Sequence, residues 1–141
     1  WDFNINNPKI AVSSLNPHSG EEGSIGNEEV KTIVPCINNL KKMGMKIDGP
    51  LPADTLFYKK SLNKFDARIC MYHDQALIPL KTLDFYGGIN YTAGLSFVRT
   101  SPDHGTAFNL AGKNKANPKS FIYAINQAFI ISKNRKVNEQ Q

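Results

Sequence analysis

Apolar and polar residues form two different patterns along the first half of the chain. The apolar run at 9–15 leads into a turn-rich segment at 16–20, a pattern typical of a buried strand followed by a loop. From 30 to 43 the apolar residues instead keep helical spacing. Gly44 suits the end of this helix, and Pro35 within it should disturb the backbone hydrogen bonds.

The second half of the chain predicts further strands and a long final helix. Residues 49–52 have the glycine and proline content of a rigid loop, and residues 53–60 predict a short helix. Pro118 is suited to open the last helix. Short apolar runs predict strands at 67–72, 77–80, 89–92 and 97–100. The predicted buried stripe of the last helix consists of Phe121, Ile122, Ile125, Ala128 and Phe129.

This alternation of strands and helices predicts an α/β fold with a mixed, partly parallel sheet flanked by helices. We expect residues 1–141 to form a single unit, with a polar tail at 134–141. Ligands of such sheets bind outside the carboxyl ends of the strands. His18 and His73 each follow the end of a predicted strand, so two of the three histidines lie where a site is expected.

Composition narrows the possible functions. The chain has 141 residues, 40% of them hydrophobic, which is ordinary for one soluble domain but short for a complete two-substrate enzyme. It begins with Trp1, which suggests part of a larger protein. No apolar run approaches membrane-spanning length, so we expect no membrane partner and a cytoplasmic location.

The formal net charge of +5 invites a nucleic-acid partner, but the basic residues are scattered. Only 133–136 forms a basic run, and it lies in the polar tail, where a solvated terminus explains it better. We therefore expect no nucleic-acid partner. A small phosphorylated substrate would account for individual basic residues elsewhere.

The first candidate site combines His73 and Asp74 with Lys81, Asn90 and Arg99. A neutral imidazole can bind a metal, and a neighbouring carboxylate can orient it. Lysine and arginine can hold a phosphate, to which an asparagine adds a directional donor. A single histidine beside an aspartate is, however, more often a hydrogen-bonded loop residue than a metal ligand.

The second candidate is His18, within the turn-forming segment at 16–23. Paired with His73 it would give two ligands from separate strand ends. A catalytic zinc site normally has three protein ligands, and the sequence leaves Asp54, Asp74 and Asp103 open as the third.

The third candidate is the loop from Asp103 to Pro118. Gly105 and Gly112 would allow the backbone to approach a flat or phosphorylated ligand, although a plain surface turn explains them equally well. No G-x-G-x-x-G occurs, so a Rossmann cofactor site is not supported.

Taken together, four segments closely resemble the 4-hydroxythreonine-4-phosphate dehydrogenase family of pyridoxal phosphate biosynthesis. The resemblance spans nearly the whole chain, and the joint spacing of its segments is highly specific. The matching stretches are LNPHSGEEGSIGNEE at 15–29, DGPLPADTLF at 48–57, MYHDQALIPLK at 71–81 and INYTAGLSFVRTSPDHGTA at 89–107.

The resemblance implies a role for each candidate group. His18 and His73 would bind a divalent metal (zinc, magnesium or cobalt), and Lys81, Asn90 and Arg99 would bind the phosphorylated substrate. A third metal-binding histidine of the family lies upstream of the matched region. The catalytic proton carriers would be Asp54 and Asp74. By likeness to isopropylmalate and isocitrate dehydrogenases, whose fold is also expected here, the cofactor-binding residues would be His104, Gly105, Thr106, Ala107 and Asn117.

The implied reaction is metal-dependent oxidation and decarboxylation of 4-phosphooxy-L-threonine to 3-amino-2-oxopropyl phosphate, with NAD or NADP as the hydride acceptor. The resemblance also implies a homodimer. This chain corresponds to the C-terminal part of such an enzyme, so we expect it to be inactive by itself. Two alternatives stay open: a dehydrogenase for another phosphorylated or carboxylated hydroxy acid, and a non-catalytic metal-binding or phosphate-binding module.

Overall fold

The computed structural model describes residues 2–139, and these divide into two compact units. The first unit comprises residues 6–79 and the second residues 2–5 together with 80–139. The division falls inside a helix, directly after Pro79. No helix among the described residues is both long and apolar enough to cross a membrane.

The first unit contains a parallel sheet of three short strands, ordered β2-β1-β3. Strand β1 is central: Ile10 lies opposite Ile47 on one side and opposite Ala67 on the other. Helix α1 packs against β2. The elements of this unit are β1 (Ile10–Ser13), a left-handed turn (Pro17–Gly23), a π-helical turn (Glu29–Ile33), α1 (Val34–Lys42), β2 (Ile47–Leu51), α2 (Ala53–Leu56), α3 (Lys59–Leu62) and β3 (Ala67–Ile69).

The core of the first unit lies between α1 and the sheet. Val12, Ile37 and Ile47 are almost fully buried there, because the apolar face of α1 covers the apolar residues of β1 and β2. Partly buried side chains surround this cluster: Ile10, Ile33, Leu40 and Met71.

Helix α4 (His73–Leu83) begins in the first unit and ends in the second. The second unit continues with a two-stranded antiparallel ribbon of β4 (Ile89–Tyr91) and β5 (Thr100–Pro102), and with the long helix α5 (Lys119–Glu139). Helix α5 packs against both strands of the ribbon.

The α/β class and the parallel sheet flanked by helices are confirmed, but a single mixed sheet is not what the described residues form. Their hydrogen bonds define two sheets, one parallel and one antiparallel. Residues 47–51, partly assigned to a loop, form β2, and the strand predicted at 77–80 lies within α4. The predicted helix at 53–60 is instead two short helices, and the strand expected at 97–100 begins only at Thr100.

The last helix begins at Lys119, directly after Pro118 as predicted, but its predicted buried stripe is wrong. Phe121 and Phe129 are 57% and 72% exposed, and Ile122 and Ile125 are exposed as well. The buried positions of this helix among the described residues are Ser120, Ala124 and Ile131. The helix continues to Glu139, through most of the segment expected to be a polar tail; residues 140–141 lie outside the described residues, as does Trp1.

Candidate functional site

One edge of the three-stranded sheet brings together the predicted residues of the first unit. Because β2, β1 and β3 are parallel, their carboxyl ends meet at the same edge. Asp54 follows β2, His18 follows β1 and His73 follows β3. This is the edge at which α/β sheets bind their ligands.

His18 lies in the left-handed turn after β1. Its side chain is 73% exposed, and its Nδ1 lies 2.9 Å from Oε1 of Glu21. Because a carboxylate at Nδ1 favours the tautomer with the proton on that nitrogen, Nε2 keeps a free lone pair.

His73 begins helix α4 and is arranged in a similar way. Its Nδ1 lies 2.7 Å from Oδ1 of Asp74, and the side chain is 78% exposed. Asp74 is therefore placed to orient the imidazole, which is one of the three roles considered for it. The pairing of an imidazole with a carboxylate is the usual second contact of a metal-binding histidine.

These residues fit a divalent metal as two ligands of a larger set. Among residues 2–139, no group of three histidine, cysteine, aspartate or glutamate side chains is close enough to hold an ion. Of the three open choices for a third ligand, Asp74 is bonded to His73 and Asp103 to Lys81. Asp54 is exposed in the first turn of α2 and has no hydrogen-bond or ion-pair partner within the described part of the chain.

The antiparallel ribbon of the second unit carries Asn90 and Arg99. Asn90 lies opposite Ser101, and the next pair along the same face is Thr92 and Arg99, since Thr92 donates a backbone hydrogen bond to the Arg99 carbonyl. The Arg99 guanidinium donates to the Thr92 hydroxyl at 2.9 Å. Asn90 and Arg99 therefore share one face of the ribbon, and both are exposed.

Lys81, the third predicted phosphate-binding residue, is held by its own chain. Its Nζ lies 3.1 Å from Oδ2 of Asp103 and donates a hydrogen bond to the Asp103 carbonyl. The ammonium also lies over the ring of Phe85, 5.4 Å from its centre. Lys81 is thus already paired with a carboxylate, whereas the charge of Arg99 has no carboxylate partner among residues 2–139.

The loop after β5 encloses a cavity of about 420 Å³ in the second unit. Four of the five residues predicted to bind the cofactor line it: His104, Gly105, Ala107 and Asn117. Thr106 is exposed and is not part of the lining. The rings of Phe85 and Tyr86 also line this cavity, which gives it apolar walls suited to a flat ring.

Two further cavities lie in the first unit. One, of about 540 Å³, is lined in part by Asp54. The other, of about 740 Å³, is lined by four lysines (Lys9, Lys41, Lys46 and Lys64) and contains none of the predicted site residues. The residues predicted from the sequence to form a site therefore do not line the larger of these two cavities.

Two buried polar residues behind the histidines were not singled out by the sequence. Glu29 accepts hydrogen bonds from the backbone before His18, and Gln75 joins the start of α4 to Ser14. In the sequence Glu29 directly precedes the predicted helix at 30–43, and exposed glutamates are common at such positions. No local pattern distinguishes it from Glu28, because its partners lie 13 and 14 residues away.

Comparisons with known proteins identify what the chain is similar to. A family model described as pyridoxal phosphate biosynthetic protein PdxA matches residues 1–128. The chain is 52% identical over 136 residues to a 4-hydroxythreonine-4-phosphate dehydrogenase of Caulobacter vibrioides, covering 96% of the chain and 41% of that relative. It is 57% identical over 126 residues to the enzyme of the same name from Roseobacter denitrificans, covering 89% and 39%.

Solved structures give the same picture. A 4-hydroxythreonine-4-phosphate dehydrogenase from Klebsiella pneumoniae superimposes with a TM-score of 0.80 at 44% identity, covering 92% of this chain and 39% of that one. A terephthalate 1,2-cis-dihydrodiol dehydrogenase from Burkholderia xenovorans matches with a TM-score of 0.56 at 28% identity, covering 88% and 39%. The chain therefore spans about two fifths of the length of the relatives it matches.

Proposed function

The chain belongs to the family of pyridoxal phosphate biosynthetic protein PdxA, and from this membership we propose that it forms the metal-binding and phosphate-binding part of a 4-hydroxythreonine-4-phosphate dehydrogenase. The whole enzyme would oxidise the C3 hydroxyl of 4-phosphooxy-L-threonine, pass hydride to NAD or NADP, and release carbon dioxide. The product is 3-amino-2-oxopropyl phosphate. The names of the relatives support an oxidoreductase of this kind.

The orientation of the two histidines carries this proposal. Nδ1 of each imidazole faces a carboxylate, 2.9 Å away for His18 and 2.7 Å for His73, and both rings are exposed after adjacent parallel strands. Each ring therefore offers Nε2 to a divalent ion, which is zinc, magnesium or cobalt. When bound, such an ion supplies positive charge that stabilises negative charge developing on the substrate.

The acidic residues then have separate roles. Asp74 is engaged with His73 and holds that ring in position, so of the roles predicted for it we assign orientation of the metal ligand and not proton transfer. Asp54 is exposed and unengaged within the described residues, which suits a carboxylate that takes the proton from the substrate hydroxyl.

The substrate phosphate is bound by Lys81, Asn90 and Arg99. Arg99 presents its planar guanidinium on the same ribbon face as the Asn90 amide, and both groups are hydrogen-bond donors. Binding the phosphate, which is attached to C4 beside the reacting C3 and takes no part in the reaction, fixes the substrate, so that binding energy contributes to the orientation of the reacting groups.

The cofactor is bound at the loop formed by His104, Gly105, Thr106, Ala107 and Asn117. The cavity of about 420 Å³ there has a polar rim and apolar walls, which suits the adenosine end of a nicotinamide dinucleotide. Gly105 leaves open space around its Cα, so a ligand can approach the backbone closely.

The two units together form the C-terminal part of this larger dehydrogenase, which acts as a cytoplasmic homodimer on a small molecule and binds neither nucleic acid nor membrane. The third metal ligand comes from outside this chain, so the chain by itself is inactive. The family match over residues 1–128 and the coverage of only about two fifths of each relative support this division.

The deciding experiment is an assay of the full-length protein with 4-phosphooxy-L-threonine, following NAD and NADP reduction with and without a chelator. We expect turnover that the chelator abolishes, and none from residues 1–141 alone. Absence of turnover in the metal-loaded full-length protein would refute the proposal.

A second candidate is a dehydrogenase for another phosphorylated or carboxylated hydroxy acid. One solved structure similar to this chain is named a terephthalate 1,2-cis-dihydrodiol dehydrogenase. A terephthalate dihydrodiol carries two carboxylates and no phosphate, and this similarity supports the second candidate. Assaying the same preparation with carboxylated cis-diols separates the two. If no substrate is turned over but metal and phosphate esters bind, the protein is a non-catalytic binding module.

A further inference from the structure

Glu29 is a buried carboxylate to which the proposed reaction assigns no role. Only 1% of its surface is exposed, and no ion pair among residues 2–139 includes it. Burying a charged group costs free energy unless other polar groups satisfy it. The contacts of this side chain must therefore replace the water it has lost.

The donors to Glu29 from other residues all come from the segment directly before His18. Oε1 accepts the backbone N–H of Leu15 at 2.8 Å and that of Asn16 at 2.7 Å. Oε2 accepts the side-chain amide of Asn16 at 2.8 Å. Burial by itself would raise the pKa of Glu29, but the hydrogen bonds from Asn16 and Leu15 outweigh it and hold the pKa below its ordinary value.

Two glycines make room for this contact, which we call the Asn16–Glu29 clamp. A Cβ atom on Gly20 would lie 2.8 Å from Oε2 of Glu29, and one on Gly26 would lie 2.4 Å from Nδ2 of Asn16. Any larger residue at either position would push the two clamp residues apart. The loop is therefore closed tightly around the clamp.

The backbone of the left-handed turn, which begins directly after Asn16, has an unfavourable conformation. Residues 18–22 all have positive φ, including 52° at His18 and 43° at Glu21. Such angles are unfavourable for residues other than glycine and persist only where the surroundings enforce them. The clamp fixes the entry to this turn, and the N–H of Ile25 closes it by donating to the carbonyl of Gly20.

We propose that Glu29 is a positioning residue for His18: its carboxylate holds the entry of the left-handed turn so that the imidazole is presented to the metal. The inference rests on the proposed role of His18 as a metal ligand. A carboxylate is needed rather than a side chain of equal size, because all three neighbouring groups are donors. Glu29 itself touches neither metal nor substrate.

Substitution of Glu29 in the full-length protein tests the proposal. Glu29→Gln keeps the volume but turns an amide nitrogen towards either the Asn16 side chain or the backbone donors. We expect Co²⁺ affinity, measured by titration calorimetry, to fall about 10–100-fold, as is usual when a group behind a metal ligand is lost. The visible spectrum of bound Co²⁺ and the hydrogen exchange of the Leu15 and Asn16 amides should change with it.

Glu28→Gln is the matched control. Glu28 accepts from the same Asn16 amide at 2.8 Å but is exposed, so water can replace it and we expect less than about threefold change in Co²⁺ affinity.

The triple variant Asn16→Asp, Glu28→Gln, Glu29→Gln exchanges donor and acceptor across the clamp, and its Glu28→Gln change keeps the new carboxylate at position 16 from facing a second one. It should recover most of the lost Co²⁺ affinity, a result that a variant lacking proper folding cannot give. Unchanged affinity in Glu29→Gln together with reduced affinity in His18→Ala would overturn the positioning role alone. Unchanged affinity in both would overturn the metal assignment of His18 and the role of Glu29 with it.

Discussion

The side-chain amide of Gln75 donates a 2.7 Å hydrogen bond to the backbone carbonyl of Ser14, 61 residues earlier in the chain. Gln75 also accepts the N–H of Met71 at 2.8 Å, and its side chain is buried. One residue therefore joins the carboxyl ends of β1 and β3. His73, two residues before Gln75, is thereby tied to the segment that leads to His18.

Replacement of Gln75 should destabilise this edge of the sheet. Gln75→Met keeps a similar volume but leaves the Ser14 carbonyl and the Met71 N–H without partners, which we expect to cost about 1–3 kcal/mol. Urea unfolding of the full-length protein measures the loss. Gln127→Met, a change at a half-buried glutamine of α5 with no hydrogen-bond partner among residues 2–139, is the control. Equal stability of the two variants would show that the Gln75 contacts contribute nothing.

The histidine assignments predict which variants lose metal. His18→Ala and His73→Ala should abolish turnover in the full-length enzyme, because each removes one imidazole ligand. Asp74→Asn should lower metal affinity about 10–100-fold, since an amide carries no charge and can donate as well as accept, so it no longer enforces the tautomer with the proton on Nδ1 of His73. Calorimetric titration with Zn²⁺ or Co²⁺ measures each affinity.

His104→Ala provides the contrast for those variants. It removes the remaining histidine, whose Nδ1 lies 2.9 Å from the Gly105 carbonyl in the cofactor loop. Metal affinity should be retained while the KM for the nicotinamide cofactor rises. Full metal affinity in His73→Ala would exclude that residue as a ligand.

The phosphate assignments predict effects on KM. Arg99→Ala and Lys81→Ala should each raise the KM for the phosphorylated substrate about 10–100-fold, as expected for loss of a charged hydrogen bond worth about 1.5–3 kcal/mol. Lys81→Ala should also lower stability, because it leaves the partly buried Asp103 carboxylate without its cation. Lys133→Ala, at an exposed position on α5, controls for general loss of positive charge. A KM equal to that of the wild type in Arg99→Ala would count against phosphate contact.

The sequence allowed the α/β class and the position of the histidines to be predicted, because both depend on local patterns. A buried apolar run followed by a turn is visible in residues 9–20, and the same logic placed His73 after β3. Strand β2 was missed because Gly49 and Pro50 are unusual in strands. It lies at the edge of the sheet, where a missing backbone donor is tolerated.

What the sequence could not supply are contacts between distant residues. The four apolar residues at 77–80 fit a strand or a helix equally well, and only the continuous helix from His73 decides between them. Phe121 and Phe129 of α5 were expected to be buried but are exposed, and the buried apolar residues of this helix are Ala124 and Ile131. The partners that join Glu29, Gln75 and Lys81 to distant segments are Asn16, Ser14 and Asp103. They lie 13, 61 and 22 residues away, and no periodicity shows them.

The last prediction concerns acid stability of the second unit. The Arg135 guanidinium donates to both carboxylate oxygens of Asp2, at 2.7 and 2.9 Å, and the Tyr91 hydroxyl donates to the same carboxylate. These contacts outweigh burial and lower the pKa of Asp2 from 3.8 to about 2, with the hydrogen bond from Arg135 as the largest cause. The same hydrogen bond from Tyr91 raises the pKa of its own hydroxyl.

A carboxylate whose pKa is lower in the folded state stabilises the fold above its unfolded pKa and loses that effect as the pH falls. The Asp2 contribution should therefore be complete above about pH 4 and disappear as the pH falls towards 2. Allowing for solvent screening near the surface, we expect it to be about 1 kcal/mol. Unfolding of wild type and Asp2→Asn by urea at pH 7 and at pH 2.5 measures it. The stability difference should shrink at the lower pH, because pH 2.5 lies well below the pKa of Asp2 in the unfolded chain and close to its pKa of about 2 in the folded protein, so most of the contribution is already lost. A difference that stays constant would mean that the Asp2–Arg135 contact does not stabilise the folded state through charge.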